Sequence, residues 1–238
     1  MSALRSKIQK LLSTPSHVLE IEDLSTNIRR IRLKGKAIVG IPWRPGDKIK
    51  LAVGSTLRSY TPARVDARAG WMDVVFFLHG NGAASDWAAS VSVGDVTGFL
   101  GPARSMPLPD EVPDWAIFLG DETAIGLAMA CFDWLPSSVP ISGAIELAAE
   151  DAGALSALKL PLKPVIRGDL CGEALTSWMS EHSLPLGDGV IWLSGEAGSV
   201  LALQKALRAR GVARSTMKIK PYWSTKGHAH RKELQRQM

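Results

Sequence analysis

Arg58-Ser59-Tyr60-Thr61 places a cation, an aromatic ring and three hydroxyls within four residues. A flat ring cofactor that carries phosphate needs an aromatic face, a hydrogen-bond partner at its reactive edge and a charge-assisted contact to phosphate. Tyr60, Thr61 and Arg58 can supply these from one strand, as they would for a flavin. Taken alone, the four residues read more readily as a half-exposed edge strand with an ordinary arginine. Further along, Leu78-His79-Gly80-Asn81-Gly82-Ala83-Ala84-Ser85-Asp86-Trp87 runs from a strand end through glycines toward a short helix. Backbone N–H groups at such a helix start are a ready cradle for pyrophosphate. The plainer alternative is a glycine turn with Ser85 as N-cap and Trp87 buried. His79 reads as a structural hydrogen-bonder, because no neighbouring residue completes a metal or catalytic group with it.

Two more segments carry possible chemistry. Gly120-Asp121-Glu122-Thr123-Ala124 and Gly195-Glu196 each stand where an apolar run meets a helical one. Ligands of open parallel sheets bind outside such strand ends, and the helix start favours an anion. Asp121 and Glu196 serve equally well as acidic N-caps. Tyr222-Trp223 then precedes a basic stretch with Lys226, Arg231 and Lys232. Such charge runs are commonly solvated tails, and here they are also candidates for steering an anionic substrate.

The elements that must position these residues fall into two textures. Short alternating runs over 17–24, 27–35, 47–53, 58–65, 71–80 and 95–101 predict six strands, separated by turns at Pro42, Pro45, Gly46 and Gly70. They imply a six-stranded antiparallel Greek-key barrel. Beyond Pro113, strands and helices alternate through WAIFLG, TAIGLAMACFDWL, ISGAIELAAE, PLKPVIRG, EALTSWMSEH, GVIWLSG, SVLALQKALRARG and STMKIKPYW. That order predicts a mostly parallel sheet flanked by helices. The expected division is a barrel domain over 1–107 and an α/β domain over 108–238.

Composition narrows the classes. The chain has 238 residues, 46% of them hydrophobic, enough for two cores. Its net charge is +5, which favours anionic partners. No zinc-finger spacing, RNP motif or basic zipper helix accompanies that charge, so no nucleic-acid partner is expected. No run approaches the roughly 20 apolar residues of a membrane span. Cys131 and Cys171 are the two cysteines, far apart and outside any CxxC. A reducing cytoplasm is therefore expected, with no bound protein metal.

The segments RSYT, FFLHGNGAASDWA, GDVTGFLGP, FLGDETAIGLA, WLSGEAGSV and PYWSTKG occur in an order that resembles the siderophore-interacting protein family. These are FAD-dependent ferric-siderophore reductases of the ferredoxin–NADP reductase-like superfamily, and the resemblance runs over about residues 18–227. It implies that Arg58, Ser59, Tyr60 and Thr61 hold the flavin ring and phosphate, with Tyr60 and Thr61 beside the reacting edge. Leu78, His79, Gly80, Ala84, Ser85 and Trp87 would belong to the loop around pyrophosphate and adenosine. Gly120, Asp121, Glu122, Thr123, Ala124, Gly195 and Glu196 would line the cleft for NADH or NADPH. Tyr222 and Trp223 would stand near flavin and substrate. Lys226, Arg231 and Lys232 would meet a ferric siderophore or other ferric chelate. A monomer suffices for this chemistry.

The chain departs from the family where Pro221 replaces a small residue, where Ala83 replaces a proline, and where the insertion before RSYT is trimmed to GSTL. Glu146, Glu150 and Asp151 near the end of the second parallel strand favour NADH, while Lys159, Lys163 and Arg167 are cations that could reach a 2′-phosphate. Two alternatives stay open: a flavin reductase with a quinone or protein-carrier acceptor, and a non-catalytic siderophore-binding protein on the same scaffold.

Overall fold

The computed structural model describes residues 14–54 and 56–225. Lys226, Arg231 and Lys232, the expected substrate-steering cations, lie outside the described residues. Seven strands form an antiparallel sheet: β1 (Thr14–Asp23), β2 (Ile28–Lys34), β3 (Lys48–Val53), β4 (Thr56–Tyr60), β5 (Arg64–Asp66), β6 (Trp71–Phe77) and β7 (Val96–Ala103). Their order is β4-β3-β7-β1-β2-β6-β5. The alternation in β2 is the pattern in miniature. Ile31 and Leu33 are fully buried, while Arg32 on the other face pairs with Asp73 at 2.7 Å and covers the Trp71 ring at 4.0 Å.

The seventh strand arises because the single expected strand over 58–65 is two. Pro62 follows Thr61 and has no N–H for a ladder, so pairing with β3 stops at Tyr60. The chain then turns and pairs with β6 from Arg64. Thr61 is thereby freed from the ladder and left at a strand end.

Residues 104–114 lead to a five-stranded parallel sheet of β8 (Trp115–Asp121), β9 (Ile141–Leu147), β10 (Lys163–Ile166), β11 (Gly189–Glu196) and β12 (Met217–Trp223), ordered β10-β9-β8-β11-β12. Every residue of β8 is buried, as expected of a central strand covered on both faces. The chain runs outward from β8 through β9 to β10, then returns to β11 on the opposite side. The order of strands reverses there, and open sheets bind ligands at that reversal, outside the carboxyl ends.

Among the described residues five α-helices accompany the sheets: α1 (Ala83–Ser90), α2 (Ile125–Trp134), α3 (Gly153–Ala157), α4 (Glu173–Glu181) and α5 (Ala197–Ala209). Helix α2 has almost no polar face and buries every residue from Ile125 to Cys131. It packs in one apolar cluster that joins Ile28, Ala63 and Val75 of the antiparallel half to Phe118, Ile125 and Leu127 of the parallel half. A polar latch adds to this contact. Asp151 accepts hydrogen bonds from Ser25 Oγ at 2.7 Å, Asn27 N at 2.9 Å and Asn27 Nδ2 at 3.1 Å. The β1–β2 turn is thus tied to the segment after β9.

Candidate functional site

A cleft of about 800 Å³ opens between the two sheets. One wall is Arg58, Ser59, Tyr60 and Thr61, so the break at Pro62 delivers the whole RSYT segment to the cleft. Tyr60 lies 4.5 Å from the Phe76 ring, and Phe76 lies 5.6 Å from Trp87. Trp87 therefore supports Tyr60 from behind and does not face the cleft. Burial raises the Tyr60 phenol to about 12, against the lowering effect of the Arg58 charge. Arg58 is exposed, steadied by bonds from its guanidinium to Thr56 Oγ1 at 2.5 Å and the Leu57 carbonyl at 3.1 Å. Thr61 is buried, and its hydroxyl meets the Tyr222 hydroxyl at 2.6 Å. That contact joins residues 161 positions apart in the chain.

The glycine loop contributes His79, Asn81, Gly82 and Ala84 to the cleft. Ser85 does something other than capping α1. Its hydroxyl accepts from the Gly80 N–H at 3.1 Å and so closes the loop on itself. Gly82 at φ +113° opens α1 with no side-chain cap, which leaves the first-turn N–H groups without an internal partner. His79 Nδ1 accepts from the Asn81 N–H at 3.3 Å. Leu78, Gly80, Ser85 and Trp87 build the loop from behind.

Opposite stand the carboxyl ends of β8, β11 and β12. Asp121 Oδ1 accepts from the Thr123 N–H at 3.0 Å and from the Thr123 hydroxyl. Its Oδ2 accepts from the Glu196 N–H at 2.7 Å and the Trp223 indole at 2.8 Å. Burial pushes the Asp121 carboxyl up, opposed by the bonds from Thr123 and Trp223. Glu196 caps α5 through the Ser199 N–H at 2.8 Å and holds the Thr225 N–H at 3.3 Å. Both acids thus take the capping role. A Cβ on Gly120 would meet the Ser194 carbonyl at 2.7 Å, and one on Gly195 would meet the Asp121 carboxylate at 2.5 Å. These glycines, with Ala124, let the strand ends approach and do not line the cleft.

Glu122 and Thr123 do reach the cleft, and so do Tyr222 and Trp223. Glu122 is buried and grips both terminal nitrogens of Arg167, one of them at 2.9 Å. Burial raises the Glu122 carboxyl and the Arg167 bond opposes it. Glu146, also buried, accepts from the Gly172 N–H at 2.8 Å and lies 3.5 Å from Arg167. Glu146 and Asp151 are therefore spent inside the protein, and the acidic preference for NADH read from them has no exposed carboxylates behind it apart from Glu150. Arg167, named from sequence only as a cation within reach, is a wall of the cleft. Lys48, Ser105 and Gly126 also line it and had no signal. Lys48 and Ser105 arrive together because β3 pairs with β7 at Lys48 and Ala103.

A family model described as siderophore-interacting FAD-binding domain matches residues 52–106, and one described as siderophore-interacting protein matches residues 113–226. The chain belongs to the siderophore-interacting protein family. Ferric vibriobactin reductase ViuB of Vibrio cholerae is 29% identical over 80% of this chain and 73% of its own length. An NADPH-dependent ferric-chelate reductase of Escherichia coli is 24% identical over 88% of this chain and 92% of its own. The siderophore-interacting protein SipS from Aeromonas hydrophila superposes with a TM-score of 0.77 at 24% identity, covering 94% of this chain and 97% of that one. These likenesses agree with the antiparallel sheet followed by a parallel α/β sheet. Among the described residues no helix is long and apolar enough to cross a membrane, and no group of three or more His, Cys, Asp or Glu side chains could hold a metal ion.

Proposed function

We propose that the protein binds FAD in the cleft, takes a hydride from NADH or NADPH and reduces the iron of a ferric siderophore. The observation that carries this reading is the facing of the RSYT strand and the carboxyl ends of β8, β11 and β12 across one cleft. The residues present fit FAD: Arg58 offers charge to phosphate, Tyr60 a supported aromatic face, Thr61 a hydroxyl at the strand end. The uncapped start of α1 offers N–H groups to the second phosphate. When bound, FAD accepts two electrons at once and releases them singly, which neither nicotinamide nor iron does readily.

The remaining work belongs to the chain. The wall formed by Glu122, Thr123 and Trp223 would seat the nicotinamide end, with Asp121 fixing Thr123 and Trp223. Overall, one NAD(P)H and two ferric ions give NAD(P)⁺, two ferrous ions and one proton. Ferrous iron is held more weakly by hard oxygen ligands, so reduction releases it. We place the flavin domain at 1–107 and the nicotinamide domain at 108–238, in a reducing cytoplasm where Cys131 and Cys171 remain free thiols. The relatives named as ferric reductases support this reading.

The test is an anaerobic assay of the purified protein with NADH, NADPH, several ferric siderophores and a quinone. FAD released by heat, bleaching by a reduced nicotinamide and reoxidation by ferric siderophore are expected. FMN alone, or reoxidation by the quinone and not by iron, would replace the reading with that of a general flavin reductase.

A further inference from the structure

The RSYT strand ends at Thr61, and the parallel half of the molecule holds that residue in two ways. Its hydroxyl lies 2.6 Å from the Tyr222 hydroxyl, with either oxygen able to donate. Its carbonyl lies 3.0 Å from where a Cβ on Gly126 would stand, so the first turn of α2 comes as near as a glycine allows. Thr61 is only 6% exposed, yet it and Tyr222 both line the cleft. Backbone and side chain of Thr61 are therefore set by residues far along the chain. Tyr222 is braced in turn, because Ser194 is a further hydrogen-bond partner of its phenol. Ser194 donates its own proton to the Lys220 carbonyl at 2.7 Å, which leaves its oxygen to accept.

We propose that Tyr222 is a positioning residue for flavin reduction, setting the Thr61 hydroxyl so that it serves the reacting ring edge both before and after hydride arrives. The proposal rests on the reading that the FAD ring lies along the RSYT strand. The ring nitrogen that receives hydride accepts a hydrogen bond in the oxidised ring and donates one in the reduced ring. A hydroxyl has one proton and two lone pairs, so it can answer either need, but in a buried site it needs a partner for the group left over. Tyr222 is that partner. Before reduction the phenol donates to Thr61 and Thr61 donates onward to the ring. Afterwards Thr61 accepts from the ring and donates to Tyr222, whose proton turns to Ser194. Only O–H bonds rotate, and no proton leaves its oxygen.

A double-mutant cycle on the full-length, FAD-loaded protein tests this. Thr61→Val and Tyr222→Phe should each keep flavin but slow anaerobic bleaching by NADH or NADPH about tenfold, the scale of one buried hydrogen bond. The double variant should be slowed about tenfold as well, not about a hundredfold, and all three should show the same change of midpoint potential. Thr61→Ser, which keeps the hydroxyl, should recover most of the rate lost in Thr61→Val. Multiplying effects, or a Tyr222→Phe protein with parental rate and potential, would overturn the proposal. A Thr61→Val protein that binds FAD and bleaches normally would instead overturn the ring placement beneath it. Fluorotyrosine at position 222 alone, which alters phenol acidity and hardly alters shape, covers a failure of Tyr222→Phe to fold. The substituted protein should shift in midpoint potential, and an unchanged potential would count against Tyr222.

Discussion

Tyr60 and Tyr222 are the only tyrosines in the chain, and both face the cleft. Burial raises Tyr60 from 10.0 to about 12 and pushes Tyr222 up further. A folded-state value above the unfolded one means that the native protein retains protons the unfolded chain has lost. The stability from Tyr60 is therefore complete below pH 10 and declines as pH rises toward about 12. An alkaline titration followed by tyrosinate absorbance should show almost no ionisation at pH 10 in the native protein. In denaturant both phenols should titrate near their ordinary value. A native tyrosinate step near pH 10 would mean that the RSYT wall is more open than the Tyr60–Phe76–Trp87 stack implies.

At the scale of elements, the latch between Asp151 and the β1–β2 turn makes a measurable claim. Asp151→Ala removes three hydrogen bonds to a fully buried carboxylate and strands the Asn27 N–H. The expected loss is about 3 kcal/mol in urea denaturation. Flavin release should then precede the main tryptophan fluorescence transition, whereas in the parent protein the two should coincide. Coincident transitions in the variant would show the shared apolar cluster around α2 to be sufficient.

The same residue shows how far the sequence could be read. Strands and helices were legible because each carries its own pattern, as in the alternating β2 or the continuous apolar run that opens β8. The break at Thr61–Pro62 was legible in principle from the missing N–H of Pro62, although the run around it read as one strand. All four residues of RSYT line the cleft, whereas of GDETA only Glu122 and Thr123 do. What local pattern could not show was which acids were already engaged. The capping roles of Asp121 and Glu196 were open to local reading, whereas only tertiary contacts reveal that Glu146 and Asp151 are held by donors from other elements. The Thr61–Tyr222 bond was illegible for the same reason: each residue was marked, and nothing near either one pointed to the other.

At the scale of the whole molecule, the excess of positive charge becomes a kinetic prediction. With a net charge of +5, the protein attracts anions at range, and Lys226, Arg231 and Lys232 concentrate part of that charge next to the matched family segment. Replacing these three by Glu should raise the Michaelis constant for an anionic ferric siderophore severalfold at low salt. The difference should fade near physiological salt, where charge is screened over roughly 8 Å. An uncharged quinone should be reduced with little change. Equal effects on both acceptors, or none on either, would assign these residues no steering role.

The carboxylate of Asp121 has one more consequence, visible in time. Backbone amides at or just beyond the end of a strand usually exchange with solvent quickly, because neighbouring strands protect them little. Here the amides of Thr123 and Glu196 are both held by one buried carboxylate at 3.0 and 2.7 Å. Deuterium should therefore enter these two positions about as slowly as it enters the middle of β8, giving a slow-exchanging island at the mouth of an open cleft. In Asp121→Ala the two amides should join the fast class while the centre of β8 stays protected. Loss of protection throughout β8 in that variant would mean that Asp121 holds up the sheet as a whole and not only its edge.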